Sequence, residues 1–294
     1  MNFKKNKANY TPLSPVSFLE RTATTFPNYI SVISEKKIFK WSETYNRCVL
    51  LASSLMNKKI KIGDVVSIMA PNTHIMYEAH FGIPMAGAII NTINIRLDAK
   101  TISYILSHSK TKLLLVDTEF LPTIRQALKI GKLKINIIAI KDEKQFSHNI
   151  QKEQLYENFL LKGKKNFSYM MRIKDEWSPI SLSYTSGTTS KPKGVVTHHR
   201  GAYLNAINNQ IVWNMKKNPI YLWTLPMFHC NGWCFPWTIS ALAGTNICLR
   251  KIDTKKIFYL IRKHNVSHMC GTTVIINLLI TNGTKLKNKI EFMT

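Results

Sequence analysis

Residues 184–194 read YTSGTTSKPKG. The preceding PISLSY (179–184) is apolar and β-prone, and VVTHH (195–199) begins the same way. Between two strands the chain therefore places two glycines, a run of Ser/Thr hydroxyls, two lysines and a proline. A phosphate needs several donors converging on one point. Glycine lets successive backbone N–H groups turn inward, and hydroxyls add donors. A terminal lysine supplies a compact, mobile charge. The stretch does not fit the GxxxxGK[ST] pattern of the common P-loop. A plain strand-to-strand loop would have a similar composition, so composition alone leaves both readings open.

Working outward, short apolar strands alternate with helical segments. Helix is expected over 14–26, opened by Ser14 and Pro15, and over 42–58, capped by Ser42. Strand 64–70 closes at Pro71-Asn72, followed by helix 73–87 and strand 88–92. Helix 98–109, strand 112–117, helix 121–130 and strand 135–140 continue the rhythm. Residues 141–177 are polar and weakly periodic, and read as a surface excursion with a short helix near 150–161. Strands resume at Ile180. Strand 219–225, an aromatic segment, strand 246–249, helix 254–264, strand 266–269 and helix 273–281 complete the chain. The alternation predicts an α/β fold with largely parallel, layered sheets flanked by helices.

The 294 residues carry 41 Lys+Arg against 16 Asp+Glu, a formal net charge of +25. Polyanions are the first class this brings to mind. The excess is mostly lysine, however, and falls in scattered pairs such as Lys58-Lys59 and Lys164-Lys165. Solvated corners produce that pattern; nucleic-acid readout wants clustered arginine and aromatics. The start MNFKKNKANY has no apolar run behind it, so no secretory signal is expected, and no window offers about 20 clean apolar residues for a membrane span. Five irregularly spaced cysteines argue against a disulfide scaffold. His229, Cys230 and Cys234 lie close in sequence but lack a fourth ligand at zinc spacing, so no metal site is expected there.

The order of residues in 184–194 carries more than their composition. It resembles the phosphate-binding signature of the adenylate-forming (AMP-binding) superfamily, which includes acyl-CoA synthetases and 4-coumarate–CoA ligase. YTPLSPVSFLERTATTFPN (10–28), GDVVSIMAPNTHIMYEAHFGIPMAGAIINTINIRLD (63–98) and LPMFHCNGWCFPWTISALAGTNICLRK (225–251) are similar to its plant-type acyl-activating branch. The resemblance runs from about Asn9 to Thr294. It implies that 1–294 form part of the large adenylation domain, its N-terminal half, without the small C-terminal domain.

The resemblance further implies a two-step reaction. ATP and a carboxylate give an acyl-adenylate and pyrophosphate, and the CoA thiol then displaces AMP. Mg²⁺ accompanies ATP. Thr185, Ser186, Gly187, Thr188, Thr189, Ser190, Lys191, Pro192, Lys193 and Gly194 would hold the β- and γ-phosphates, with Ser190 where many members have Gly. His229 and Trp233 would line the acyl pocket, His198-His199 would position the helix beginning near Gly201, and Thr273 replaces a commonly seen Pro. No catalytic residue is assigned: the Mg²⁺-contacting acid and the adenylation lysine of the family are not among these residues. A truncated ligase with impaired or no turnover is therefore expected. The alternatives are a phosphate-binding half-module acting with a partner chain, or a basic nucleic-acid-binding protein. The branch is expected in the cytoplasm or the peroxisome.

Overall fold

The computed structural model describes residues 4–6, 8–142, 144–166, 172–185, 191–281 and 291–293. The chain opens with α1 (Val16–Thr25), a hairpin of β1 (Ile30–Ser34) and β2 (Lys37–Lys40), and α2 (Trp41–Asn57). It continues through β3 (Val65–Met69), α3 (His74–Met85), β4 (Ile89–Thr92), α4 (Ala99–His108), β5 (Leu113–Asp117), α5 (Leu121–Ile130) and β6 (Asn136–Ile140). Next come β7 (Gln154–Leu155), α6 (Tyr156–Leu160), β8 (Pro179–Thr185), β9 (Lys193–His198) and α7 (His199–Val212). The last part holds β10 (Ile220–Trp223), α8 (Phe235–Ala241), β11 (Thr245–Cys248), α9 (Thr254–His264), β12 (His268–Cys270), α10 (Thr273–Thr281) and β13 (Glu291–Met293).

These strands form two sheets. Sheet A runs β13-β12-β10-β11-β1-β2 and sheet B runs β7-β6-β5-β3-β4-β8-β9. Every pairing is parallel except the β1–β2 and β8–β9 hairpins. Alternate side chains on each strand enter different cores, as the two-residue period of a strand requires. On β10, Tyr221 and Trp223 face the central core while Leu222 packs with Ile257 and Ile261 of α9. On β5, Leu113 and Leu115 face the central core while Leu114 and Val116 join α4 and α5.

The central core is built on α3, in which every residue is buried. A helix apolar all round has no face to offer water, and this one packs against strands of both sheets. Its Gly82 sets the approach of α2: a Cβ there would lie 2.6 Å from Leu51 Cδ2. The result is an α–β–α–β–α layering, with α9 and α10 outside sheet A and α4 and α5 outside sheet B.

Three local expectations are corrected, and one segment gains an element. Helix α1 starts at Val16 with Pro15 in the cap position; the buried Ser14 hydroxyl instead pairs with His199 Nδ1 at 2.8 Å. Helix α2 is capped by Lys40, two residues earlier than Ser42, with Glu43 Oε2 accepting the Lys40 N–H at 2.7 Å, while Ser42 Oγ donates to the Pro27 carbonyl. The stretch 141–177 is not all surface. Strand β7 extends sheet B beside β6, and the expected helix is the short α6, whose Tyr156, Phe159 and Leu160 enter the central core. Their i, i+3, i+4 spacing is one helix face. The aromatic segment after β10 contains a helix, α8, with Pro236 in its first turn. Among the described residues no helix is long and apolar enough to cross a membrane.

Candidate functional site: the carboxyl edge of sheet B

Strand β8 lies parallel to β4, with Thr92 opposite Ser183, and antiparallel to β9. The register pairs Tyr184 with Gly194 and Thr185 with Lys193, the last pair of the hairpin ladder. That pair lies at the carboxyl end of β8, the edge at which the parallel strands β3, β4 and β5 also end. In open α/β sheets that edge is where ligands bind. Thr185, Lys191, Lys193 and Gly194 are exposed there, and Pro192 is half-buried. Ser186, Gly187, Thr188, Thr189 and Ser190 lie outside the described residues.

The root of the hairpin is tied to α4. Tyr184 Oη and His108 Nδ1 are 2.7 Å apart, and Tyr104 stacks on His108 with ring centroids 5.4 Å apart. Lys191 Nζ sits 5.8 Å from the Tyr104 ring centroid. Burial, followed by the neighbouring Tyr104, pushes the Tyr184 hydroxyl up to about 12, so it stays neutral. Opposite it, a Cβ on Gly194 would lie 3.0 Å from Leu182 Cδ1 and 3.4 Å from Tyr184 Cζ.

The second component comes from the other sheet. After β10 the chain turns through Thr224–Phe228 into a 3₁₀ turn, His229–Cys234. His229 and Cys230 are exposed. Asn72, just past β3, donates Nδ2 to the carbonyls of Trp223 (3.1 Å) and Leu225 (2.8 Å), and its Oδ1 accepts the Met227 N–H (2.8 Å). Thr92 at the end of β4 donates Oγ1 to the Phe228 carbonyl at 2.8 Å. The Thr224 hydroxyl donates to the Cys270 carbonyl. The structure therefore brings the turn bearing His229 to the strand end beside the hairpin.

Of the neighbouring aromatics, Phe235 and Trp237 are core, and Trp237 Nε1 donates to the His80 carbonyl. Trp233 stands outside the core at 57% exposure, its carbonyl held by Asn209 Nδ2 at 2.9 Å. His198 caps α7 by accepting the Gly201 N–H at 2.9 Å and stacks on Trp177, while His199 is buried against Ser14. Burial, with a smaller contribution from His198, lowers the His199 imidazole to about 4. Thr273 begins α10 and is exposed. Among the described residues no group of three His, Cys, Asp or Glu side chains could hold a metal ion. No local pattern in the sequence marks Asn72, Thr92 or Asn209. Asn72 reads there only as the residue after a proline that ends a strand.

Comparison with known proteins agrees with this architecture. A family model described as AMP-binding enzyme matches residues 19–292. The peroxisomal acetate/butyrate–CoA ligase AAE7 of Arabidopsis thaliana is 44% identical over 94% of this chain and 50% of its own length. The peroxisomal benzoate–CoA ligase of the same plant is 46% identical over 95% of this chain and 49% of its own. The chain thus spans about half the length of the curated relatives it matches. A long-chain-fatty-acid–CoA ligase from Archaeoglobus fulgidus superposes with a TM-score of 0.81 at 17% identity, covering 96% of this chain and 55% of that one. At that identity the likeness shows the fold alone.

Proposed function

The chain belongs to the AMP-binding enzyme family, and from that premise we propose that it supplies the phosphate-binding and acyl-side elements of an ATP-dependent acyl-CoA ligase. In this reading MgATP and a carboxylate form an acyl-adenylate with loss of pyrophosphate, and CoA then takes the acyl group. The observation that supports it is the convergence of two segments on one sheet edge. The β8–β9 hairpin presents Thr185, Lys191 and Lys193 to solvent at its mouth, and the His229 turn is fastened to the adjacent strand end.

The chemistry suits the residues. Pyrophosphate gains negative charge as it leaves, so hydroxyl, amide and ammonium donors fixed around it stabilise the transition state more than the ground state. Glycine at 194 keeps the hairpin narrow at its mouth, because a side chain there would press on Leu182 and Tyr184. Mg²⁺ would arrive with ATP on the phosphates. His229 and Trp233 would face the acyl group, whose identity we leave at the class of small carboxylates. The cytoplasm or the peroxisome is the proposed location, both Arabidopsis relatives being described as peroxisomal.

Non-hydrolysable acyl-sulfamoyl adenosines of graded acyl size test this reading by calorimetry. Saturable binding that depends on the acyl group supports it, and no binding by any member of the series contradicts it. In the same reading the Mg²⁺-contacting acid and the adenylation lysine are not among these 294 residues. A polypeptide of this sequence is therefore expected to catalyse no ATP–pyrophosphate exchange.

A further inference from the structure

We propose that Asn72 and Thr92 are positioning residues for the acyl side of the site, referencing His229 to sheet B although its turn emerges from sheet A. The proposal rests on the reading of His229 as an acyl-pocket residue.

The geometry is specific in kind as well as in distance. Asn72 is only 7% exposed and engages three backbone groups with one amide: two carbonyls, at residues 223 and 225, and the N–H of residue 227. A carboxylate at that position could accept but not donate, and an aliphatic side chain could do neither. Thr92 takes the carbonyl of Phe228, the residue immediately before His229. The His229 N–H is itself bound to the Pro226 carbonyl. The approach to His229 is thus bonded at nearly every step to groups anchored on β3 and β4.

The backbone just beyond His229 gives this fastening its purpose. Cys230, Gly232, Trp233 and Cys234 have φ of 44°, 57°, 56° and 65°. Left-handed backbone is disfavoured for residues with a Cβ, and such conformations persist where the surroundings over-determine them. Asn209 holds the far end through the Trp233 carbonyl, and Asn72 with Thr92 hold the near end. Released at the near end, the turn can relax toward ordinary backbone angles and carry His229 with it. Thr92 also lies opposite Ser183, two residues before the mouth of the hairpin. One strand end therefore sets the spacing between the mouth of the β8–β9 hairpin and the acyl-side turn.

The test uses the whole chain labelled with ¹³C,¹⁵N-histidine, the His229 signal being identified by its loss in His229→Gln. Thr92→Val removes the donor with little change of shape, and Thr92→Ser keeps it. Asn72→Asp removes both amide donors. The proposal expects Thr92→Val and Asn72→Asp to melt cooperatively and to shift or broaden the His229 imidazole signals while those of His198 stay in place. Thr92→Ser should restore the wild-type spectrum. Affinity for an acyl-sulfamoyl adenosine should fall about tenfold in Thr92→Val and recover in Thr92→Ser. An unmoved His229 signal in folded Thr92→Val, or no recovery in Thr92→Ser, overturns the proposal. If Asn72→Asp does not fold, the Thr92 pair decides alone. If wild type binds no analogue, the ligase reading fails, and the His229 signal still judges the positioning role.

Discussion

The Asp117 carboxylate grips the Arg250 guanidinium through two hydrogen bonds, Nη1 to Oδ2 and Nη2 to Oδ1, each 2.8 Å long. Asp117 ends β5 in sheet B and Arg250 follows β11 in sheet A, so the pair fastens one sheet to the other. Both side chains are buried, at 0% and 3% exposure, and Glu119 and Asp142 add further bonds to the same guanidinium. Burial pushes the Asp117 carboxyl up, and Arg250 opposes that shift. Removing one partner of a buried pair strands the other's charge. Arg250→Ala is therefore expected to cost about 3–5 kcal/mol in urea unfolding. Asp117→Leu combined with Arg250→Met should cost less than Arg250→Ala alone. A double variant as unstable as the single one would mean the pair matters by packing and not by charge.

Gly194 should tolerate one added carbon but not three. An alanine Cβ meets the end of a Leu182 side chain at 3.0 Å, which can give way. Valine would press on Tyr184 and loosen its bond to His108. Gly194→Val is expected to destabilise by about 1–3 kcal/mol and Gly194→Ala by less than about 1 kcal/mol. Thermal unfolding of the two variants checks the order.

Buried histidines, His74, His80 and His199, tie stability to pH, each held by burial below its ordinary value. Burial lowers His80 and His199 to about 4, against an ordinary value near 6.5. Between those values the unfolded chain binds protons that the folded chain refuses, so each histidine makes stability fall as pH falls. The slope is about 1 kcal/mol per pH unit for each. Glu78 and Asp117, pushed up by burial, act in the opposite sense. The informative comparison is therefore between wild type and His199→Gln. The variant should lose one histidine's share of the slope between pH 6.5 and 4, and identical slopes would contradict the assignment.

Much of the fold can be read in the sequence because parallel strands buried on both faces must be nearly continuous apolar runs, as VVSIM and LLLVD are. Strand β2, KIFK, escapes that reading because it is an exposed edge carrying lysines, and β7 escapes because it is two residues long. The caps shift because the hydroxyls of Ser14 and Ser42 go to tertiary partners. His199 is 185 residues from Ser14, a relationship no local pattern can display. The candidate site divides in the same way. The hairpin is legible because its chemistry is contiguous. The clamp on the His229 turn is not, since Thr92 and Asn72 reach partners 136 and 155 residues away.

The most direct test of the central claim is the affinity of the chain for pyrophosphate and MgATP with the hairpin lysines present and absent. Isothermal titration at physiological salt should show saturable binding to wild type. The variant Lys191→Met/Lys193→Met should bind at least about tenfold more weakly at unchanged melting temperature, the loss expected for charge-assisted hydrogen bonds. Because the chain carries a net charge of +25, Lys164→Met/Lys165→Met serves as the control and should bind like wild type. No saturable binding, or equal losses in both double variants, would contradict a phosphate site at the mouth of the β8–β9 hairpin.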